Sequence, residues 1–346
     1  MNAHHIELMI GQLSDILPAY QLKCIRYYPN SINGVLEHNF EKNFFKIGLR
    51  ASIERELRGQ IEYSKINECP EVDVVLNIGE EYSIILFEYI ESLNDDQQAL
   101  YYTLESTQNH SEKIRNILAK YFKTFTKIKN IDEVSSKFNN FQYSRFFYER
   151  LNRVRDISTD DQLFKIIISK SVLYIENMTL ERLRFLTHGD PSDMNFSKCG
   201  IFYDFEEVDY NDISLEFSIL FWNFFIGGGY LYPKYHGYKY IDIKEGYDKL
   251  SYKGITENRK NILLYIIGEM ERIHKENNLV LNEKFIYCLI FRMLSVIPFT
   301  ELEKSDQELV KSLVKVLYSW ILQGDISIFE MLLQWIIGEF NGEFIA

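Results

Sequence analysis

The chain reads LTHGDPSDMN at residues 186–195, and Asp204-Phe205-Glu206 begins nine residues after Asn195. The stretch supplies a carboxylate at Asp190, an amide five positions later at Asn195, and a second carboxylate at Asp204. Phosphoryl transfer from a nucleotide needs these groups, because one carboxylate accepts the proton of an attacking hydroxyl while the other two side chains hold metal ions against the phosphates. The polar residues after Asp190 predict a loop, and residues 200–203 predict a short buried strand that returns Asp204 to the same place.

This stretch resembles the signature of the aminoglycoside phosphotransferase and choline kinase superfamily, which contains small-molecule kinases with a protein-kinase-like fold. The signature is His-x-Asp with an Asn five positions after the Asp, followed by a second Asp in an Asp-Phe-Gly or Asp-Phe-Glu element. The resemblance implies that Asp190 is the catalytic base, that Asn195 and Asp204 bind magnesium, and that His188 supports the loop. Residues 191–193 depart from the family's usual residues. The alternative interpretation is a solvated loop followed by an acidic run.

A lone lysine stands inside the third strand of a strand-rich region. The pattern predicts strands at residues 22–28, 35–40 and 43–48, with a turn at residues 30–34. Lys46 lies in the third strand, where a buried lysine stem needs an anion for its ammonium group. Lys46 resembles the third-strand lysine of kinases, which binds the nucleotide phosphates and pairs with a helix glutamate.

The partner of Lys46 is predicted to come from the next helix. Residues 52–65 have apolar side chains at helical spacing, and Ser52 is a plausible N-cap. Glu54 and Glu56 flank the apolar stripe, so either could reach Lys46. We prefer Glu56 because its setting resembles the family pattern, and the alternative is a surface lysine with surface glutamates.

A hinge between two lobes is predicted near residue 91. Residues 72–76 and 82–90 predict two further strands, and the second resembles the last strand and hinge of these kinases. There the backbone near Glu88, Tyr89 and Ile90 would pair with the purine of ATP or GTP. After residue 94 the pattern is helical apart from the catalytic loop. The predicted fold is α+β and bilobal, with an N-lobe at residues 1–91 that has a small β-sheet and one helix and binds nucleotide. The C-lobe, at residues 92–346, is large and mainly helical.

Composition excludes several classes of protein. The 346 residues carry a net charge of −12, which argues against binding nucleic acid. The charge suits a cationic substrate or keeps the protein in solution. The first residues do not form a secretory leader, and the four cysteines form no metal-like pair, which predicts reduced thiols in a cytoplasmic protein. Residues 213–232 are apolar but interrupted, which favours a buried helix over a membrane span.

The acceptor is predicted to lie near the acids after Asp204. Glu206 and Glu207 are candidates for attracting an amine, and Glu206 could also assist metal binding. The alternative is that the acids of this segment cap and solvate the next helix, as Asp212 is well placed to do. Tyr230 and Tyr232 lie in a glycine- and tyrosine-rich segment whose rings suit a protonated amine or simply pack as a loop.

The function implied by the resemblance is ATP- or GTP-dependent, magnesium-dependent phosphorylation of a small acceptor. An aminoglycoside or another antibiotic or natural product is the preferred acceptor. The alternatives are choline, ethanolamine, an amino alcohol or a sugar, or a silent nucleotide-binding regulator with the same fold. The predicted partners are the nucleotide and the acceptor, without nucleic acid or membrane, and the oligomeric state is not predicted.

Overall fold

The computed structural model of the protein divides into two compact units. One, the sheet unit, comprises residues 1–100 and 195–209, and the other, the helical unit, comprises residues 101–194 and 210–346. The structure describes residues 3–27, 31–90, 100–104, 108–126, 129–130, 145–178, 183–193, 195–226, 257–280, 283–323 and 327–337.

The sheet unit contains a five-stranded antiparallel sheet with the strand order β1-β2-β3-β5-β4. The strands are β1 (Gln21–Tyr27), β2 (Ser31–His38), β3 (Glu41–Leu49), β4 (Val72–Ile78) and β5 (Tyr82–Glu88). Helix α1 (Ala3–Ile16) precedes the sheet, α2 (Arg50–Tyr63) lies between β3 and β4, and α3 (Leu100–Leu104) follows β5.

The two faces of β3 bury different residues, because successive side chains of a strand point to opposite faces. Phe45 and Ile47 belong to an apolar core that also contains Met9 and Leu13 of α1. Lys46 therefore points to the other face, where Ile53 of α2 packs with Ile85 and Phe87. In the register of the sheet Lys46 lies between Asn33 of β2 and Ile85 of β5.

Two local predictions in this unit are wrong. Strand β2 begins at Ser31, so most of the predicted turn at residues 30–34 is strand paired with β3. Helix α2 begins at Arg50, and its N-cap is Leu49 rather than Ser52. The helix starts early because the Arg50 N–H is donated to the carbonyl of Glu81, which gives the first turn a partner outside the helix.

Besides residues 101–104 of α3, the helical unit contains eight α-helices within its described residues, and the longer ones carry its core. They are α4 (Ser111–Phe122), α5 (Arg145–Arg155), α6 (Gln162–Met178), α7 (Ile213–Phe221), α8 (Glu257–Glu276), α9 (Glu283–Ser295), α10 (Lys304–Gln323) and α11 (Ile328–Ile337). A π-helical turn, Trp222–Ile226, extends α7, and 3-10 turns occupy Lys123–Thr126 and Phe299–Glu301. Short strands β6 (Lys129–Asn130), β7 (Leu183–Thr187) and β8 (Asp209–Asn211) form a second sheet in that order.

The predicted fold class is confirmed: a small antiparallel sheet occupies the first part of the chain and a mainly helical unit follows. The prediction of a helical pattern after residue 94 is wrong at residues 183–187, which form strand β7. The predicted hinge at residue 91 lies outside the described residues, and the boundaries 1–91 and 92–346 stay a prediction. Within the described part of the chain, no helix is both long and apolar enough to cross a membrane.

Candidate active site

Lys46 is the centre of a buried ion-pair network in the sheet unit. Its Nζ donates to Glu56 Oε2 at 2.6 Å and to Asp204 Oδ1 at 2.9 Å, and Glu206 Oε2 lies 3.9 Å away. Burial alone would lower the pKa of Lys46, but the charges of Asp204, Glu56 and Glu206 outweigh it and hold the pKa above its ordinary value. Lys46 therefore stays charged. Glu56 is buried, whereas Glu54, the other glutamate considered from the sequence, is exposed.

The acidic segment after Asp204 is attached directly to helix α2. The Phe205 N–H is donated to Glu56 Oε1 at 2.8 Å, so one carboxylate connects the lysine and the segment. The helix approaches so closely that a Cβ on Gly59 would lie 2.0 Å from the Phe205 carbonyl oxygen and 3.0 Å from Val208 Cβ. A side chain at position 59 would have to push the segment away from α2, so only glycine fits this contact.

Asp204 has an unusual backbone conformation. Its φ is 66°, in the left-handed region that few residues other than glycine adopt. A tight hairpin delivers it: Phe196 and Phe202 form a single β-bridge, and the Tyr203 N–H is donated to the Asn195 carbonyl at 3.2 Å. In place of the strand predicted at residues 200–203, the structure has an isolated bridge at Phe202. Strained residues of this kind cluster at functional sites.

The donor set around Asp204 fits a magnesium ion. The network contains three carboxylates, at Glu56, Asp204 and Glu206, against two cations, Lys46 and Arg55. The Asp204 side chain is 45% exposed, so the carboxylate is partly open to solvent. The described residues contain no cluster of three or more His, Cys, Asp and Glu side chains suited to a metal. Mg²⁺ on a nucleotide needs none, since one or two carboxylates and the phosphates suffice.

In the helical unit, the loop that carries Asp190 is held by one buried carboxylate. Glu216 of α7 accepts the His188 N–H at Oε1 and the Gly189 N–H at Oε2, both at 3.0 Å, and the Tyr121 hydroxyl at 2.7 Å. Gly189 has a φ of 80°, which a glycine adopts without strain. His188 is fully buried, a position consistent with the supporting role predicted for it. The hydrogen bonds from the loop backbone to Glu216 therefore fix the loop conformation.

Glu216 has a strongly altered acidity. Burial raises the pKa of Glu216 to about 7, against the hydrogen bonds from Tyr121, Gly189 and His188, which lower it. Glu216 belongs to the acidic stretch after Asp204, but its side chain is 1% exposed and its oxygens face the loop. It cannot serve as a surface acid.

Asp190 is held by two donors that act on the same oxygen. Arg292 Nη2 of α9 donates to Asp190 Oδ1 at 2.6 Å, and Asn223 Nδ2 lies 3.4 Å from the same atom. Asn223 Nδ2 also lies 3.3 Å from the Pro191 carbonyl oxygen. The Asp190 side chain is 28% exposed and the Arg292 side chain only 5%, so the carboxylate is the accessible member of the pair.

A second buried ion pair fixes the other end of the loop. Arg259 Nη2 of α8 donates to Asp193 Oδ2 at 2.9 Å, and Arg259 Nη1 donates to the Phe224 carbonyl at 2.7 Å. Both side chains are almost completely buried. Asp193 is one of the residues that depart from the family's usual sequence, and this contact gives the departure a structural purpose.

The remaining predicted residues take different places. Glu206 accepts from Arg55 at 2.6 Å, so its charge is already paired, and Glu207 lies in the turn that follows. Asp212 caps α7 through the Ser214 N–H, which confirms the helix-cap alternative, and it also pairs with Lys284. Tyr230 and Tyr232 lie outside the described residues.

The proposed purine-binding segment follows β5. Glu88 ends the strand, and its N–H is donated to the Glu71 carbonyl at 2.8 Å, so only its carbonyl could serve a purine. Tyr89 and Ile90 come next and are partly buried. Their role in nucleotide binding stays a prediction.

Sequence reasoning missed Glu216, Asn223 and Arg292 as neighbours of the loop that carries Asp190. Arg292 gave one signal that could have been used: it is the only charged residue between Phe285 and Ser295, in a helix with apolar residues on all sides. A buried cation requires an anionic partner. Nothing in the sequence identifies that partner as Asp190, which is 102 positions away.

Comparison with known proteins was informative only for the structure. No family model matches the sequence, and no curated protein matches it. The structure superposes on the crystal structure of aminoglycoside phosphotransferase APH(4)-Ia with a TM-score of 0.56 and 10% identity, over 93% of this chain and 100% of that one. The chain has the fold of the aminoglycoside phosphotransferases.

Two further solved structures support this fold assignment. A thermostable mutant of the same phosphotransferase, in a ternary complex with ADP and hygromycin B, matches with a TM-score of 0.54 and 9% identity, over 92% and 99% of the two chains. An aminoglycoside-3'-phosphotransferase of type VIII matches with a TM-score of 0.50 and 10% identity, over 84% and 99%. This fold is the one that the resemblance at residues 186–206 implies.

Proposed function

We propose that this protein is a small-molecule kinase that transfers the γ-phosphoryl group of ATP or GTP to a hydroxyl of a small acceptor. The observation that carries the proposal is the network at Lys46, in which a buried ammonium is shared by a helix glutamate and an aspartate of strained backbone. A buried lysine that keeps its charge and lies beside a partly exposed carboxylate is suited to hold phosphates and their metal ion. The fold of the solved aminoglycoside phosphotransferases supports the same function.

Each residue has a role that follows from its surroundings. Lys46, fixed by Glu56, would neutralise the nucleotide phosphates, and Asp204 with Asn195 would hold Mg²⁺. When bound, Mg²⁺ would offset the negative charge of the phosphates. Asp190 would orient the acceptor hydroxyl and accept its proton, which is the work of a general base. The backbone of Glu88, Tyr89 and Ile90 would contact the purine.

We propose an amine-bearing acceptor, such as an aminoglycoside or another antibiotic, as the first class to test. Two observations support it: the net charge of −12, which attracts cations, and the solved neighbour that contains hygromycin B with ADP. Choline, ethanolamine, amino alcohols and sugars are the alternative acceptors. A catalytically silent nucleotide-binding regulator is the alternative from another class.

An acceptor screen tests the proposal. The full chain is incubated with Mg·ATP or Mg·GTP and a panel of aminoglycosides, amino alcohols, choline and sugars, and the nucleoside diphosphate is measured. We expect at least one acceptor to increase diphosphate release in the wild type and not in Lys46→Met. Nucleotide binding without any acceptor-dependent release would favour the silent regulator. Failure to bind either nucleotide would rule out both.

A further inference from the structure

Arg292 is a buried cation in contact with Asp190. Helix α9 is buried along almost its whole length, and Arg292 is 4% exposed among apolar neighbours. An arginine in such a place needs a counter-charge. Among the described residues, Asp190 is the only carboxylate that pairs with it. Its Nε and Nη1 have no hydrogen-bond partner within that same part of the chain, so its charge depends on Asp190.

The contact controls the direction of the Asp190 carboxylate. Arg292 and Asn223 both approach Oδ1, Arg292 at 2.6 Å and Asn223 at 3.4 Å. A carboxylate anchored through one oxygen cannot rotate freely about its terminal torsion, so the direction of Oδ2 is also set. The loop backbone beneath it is fixed independently by Glu216. Backbone and side chain of the proposed base are thus held by different elements.

We propose that Arg292 is a positioning residue for phosphoryl transfer, which holds the Asp190 carboxylate in the orientation that receives the acceptor hydroxyl. The inference rests on the proposed function. Arg292 acts through Asp190 and is not required for nucleotide binding, because Lys46, Asn195 and Asp204 supply those contacts. A small misplacement of a catalytic group can reduce the rate about 100-fold.

The pair also makes the charge of Asp190 important for folding. If Asp190 becomes neutral, Arg292 is left as a buried cation without a described carboxylate partner, which is strongly destabilising. Replacing both residues by neutral ones removes the unpaired charge. The stability effects of Asp190→Asn and Arg292→Met should therefore not be additive, since residues in direct contact are coupled.

The experiment uses the full chain and four variants: Arg292→Lys, Arg292→Met, Asp190→Asn and the double variant Asp190→Asn/Arg292→Met. Arg153→Met is the matched control, because Arg153 donates to the carbonyls of Ser295 and Val296 at the end of α9 and has no contact with Asp190 among its described bonds. Diphosphate release from Mg·ATP is measured without acceptor, where water takes its place, and with any acceptor found in the screen. Mg·ATP affinity and Tm are measured for each variant.

We expect Arg292→Lys to fold, to bind Mg·ATP within about threefold of the wild type, and to lose about 10- to 100-fold in kcat. Asp190→Asn should lose activity and on the order of 10 °C in Tm, and the double variant should regain Tm without regaining activity. Arg153→Met should keep the wild-type kcat.

Two results would overturn the inference: a wild-type kcat in Arg292→Lys, or additive Tm losses in the double variant. If Arg292→Met does not fold, Arg292→Lys and the double variant still decide the question. Failure of the proposed function looks different, because the wild type itself would then release no diphosphate, whether or not it binds Mg·ATP.

Discussion

Two residues are held in unfavourable states by their surroundings: Asp204 has a left-handed backbone, and Glu216 has a raised pKa. Asp204 keeps a left-handed backbone while its side chain contacts Lys46. Such a conformation costs on the order of 1–3 kcal/mol and persists only where the surroundings enforce it. The enforcement is visible in the Phe205 N–H bond to Glu56, which fixes the next peptide. The strained backbone and the ion pair together mark Asp204 as a candidate functional residue.

Removing the Asp204 carboxylate should weaken the binding of Mg·ATP. Asp204→Ala deletes the most exposed carboxylate of the described network at Lys46, so the metal would lose its main proposed protein ligand. Titration of ATP with and without Mg²⁺ should show that the variant has lost the magnesium-dependent part of its affinity. Glu80→Ala, which removes an exposed acid of the same unit, is the control. An unchanged magnesium dependence in Asp204→Ala would contradict the assignment.

Glu216 should make the free energy of unfolding depend on pH. Its pKa is about 7 in the folded protein against an ordinary value of 4.5, so the folded state holds the proton more tightly. The stabilisation from this proton is fully present below about pH 4.5 and is lost as the pH rises to about 7. Across that window we expect a slope of at most roughly 1.4 kcal/mol per pH unit relative to Glu216→Gln. Denaturant unfolding of both proteins at several pH values measures it, and parallel pH curves would count against it.

Among the helices and strands, α2 is constrained by its close contact with the segment that follows Asp204. Its Gly59 lies against the Phe205 carbonyl, at a point where a methyl group has no room. An alanine in an open helical position would normally stabilise the chain by about 0.5–1 kcal/mol. At Gly59 the clash should exceed that gain, because the obstacle is backbone and cannot rotate away.

We therefore expect Gly59→Ala to lower both Tm and Mg·ATP affinity although it removes no charged group. The variant displaces the segment at residues 204–206 from α2 and so loosens the contacts of Lys46. Gly268→Ala in α8 is the matched control, because no atom lies within 4 Å of its added Cβ. It should be neutral or slightly stabilising. Wild-type affinity in Gly59→Ala would show that α2 does not position the network.

The sequence was sufficient to predict strands and helices, which have local repeating patterns of apolar residues. It was insufficient to predict contacts between residues that are far apart in the chain. The strands around Lys46 and the helix of Glu56 follow from alternating and helical apolar patterns, and the position of each was close to correct. The start of α2 could not be predicted, since it depends on the carbonyl of Glu81, 31 positions from Arg50. Arg292 and Glu216 were missed for the same reason: each meets the loop through tertiary packing that no local pattern encodes.

The charge of the whole molecule bears on the acceptor. The net charge is −12, yet most acids near the site are already engaged: Glu206 with Arg55, Asp212 with Lys284, and Glu216 with the loop. Attraction of an amine would therefore depend on the overall field more than on one free carboxylate. Such a field acts over long distances at low ionic strength, but at physiological ionic strength it is largely screened beyond about 8 Å.

Two acceptors that differ only by an amine in place of a hydroxyl should show whether the negative field of the protein attracts a cationic acceptor. If the acceptor is a cation, an amine-bearing alcohol should have a higher kcat/KM than its uncharged analogue at low salt, and added salt should narrow the difference. The comparison needs the same scaffold with an amine or a hydroxyl at one position. Equal efficiency at low salt would eliminate the amine preference and leave the kinase proposal intact.

The central claim is phosphoryl transfer oriented by Asp190. Its most direct test follows the label of γ-labelled ATP in the presence of Mg²⁺ and the best acceptor of the screen, with the wild type and Asp190→Asn compared under conditions where both are folded. We predict that the wild type moves the label onto a hydroxyl of the acceptor and that Asp190→Asn does so about 100- to 10,000-fold more slowly while still binding the nucleotide. Label transfer by Asp190→Asn at the wild-type rate would contradict the account.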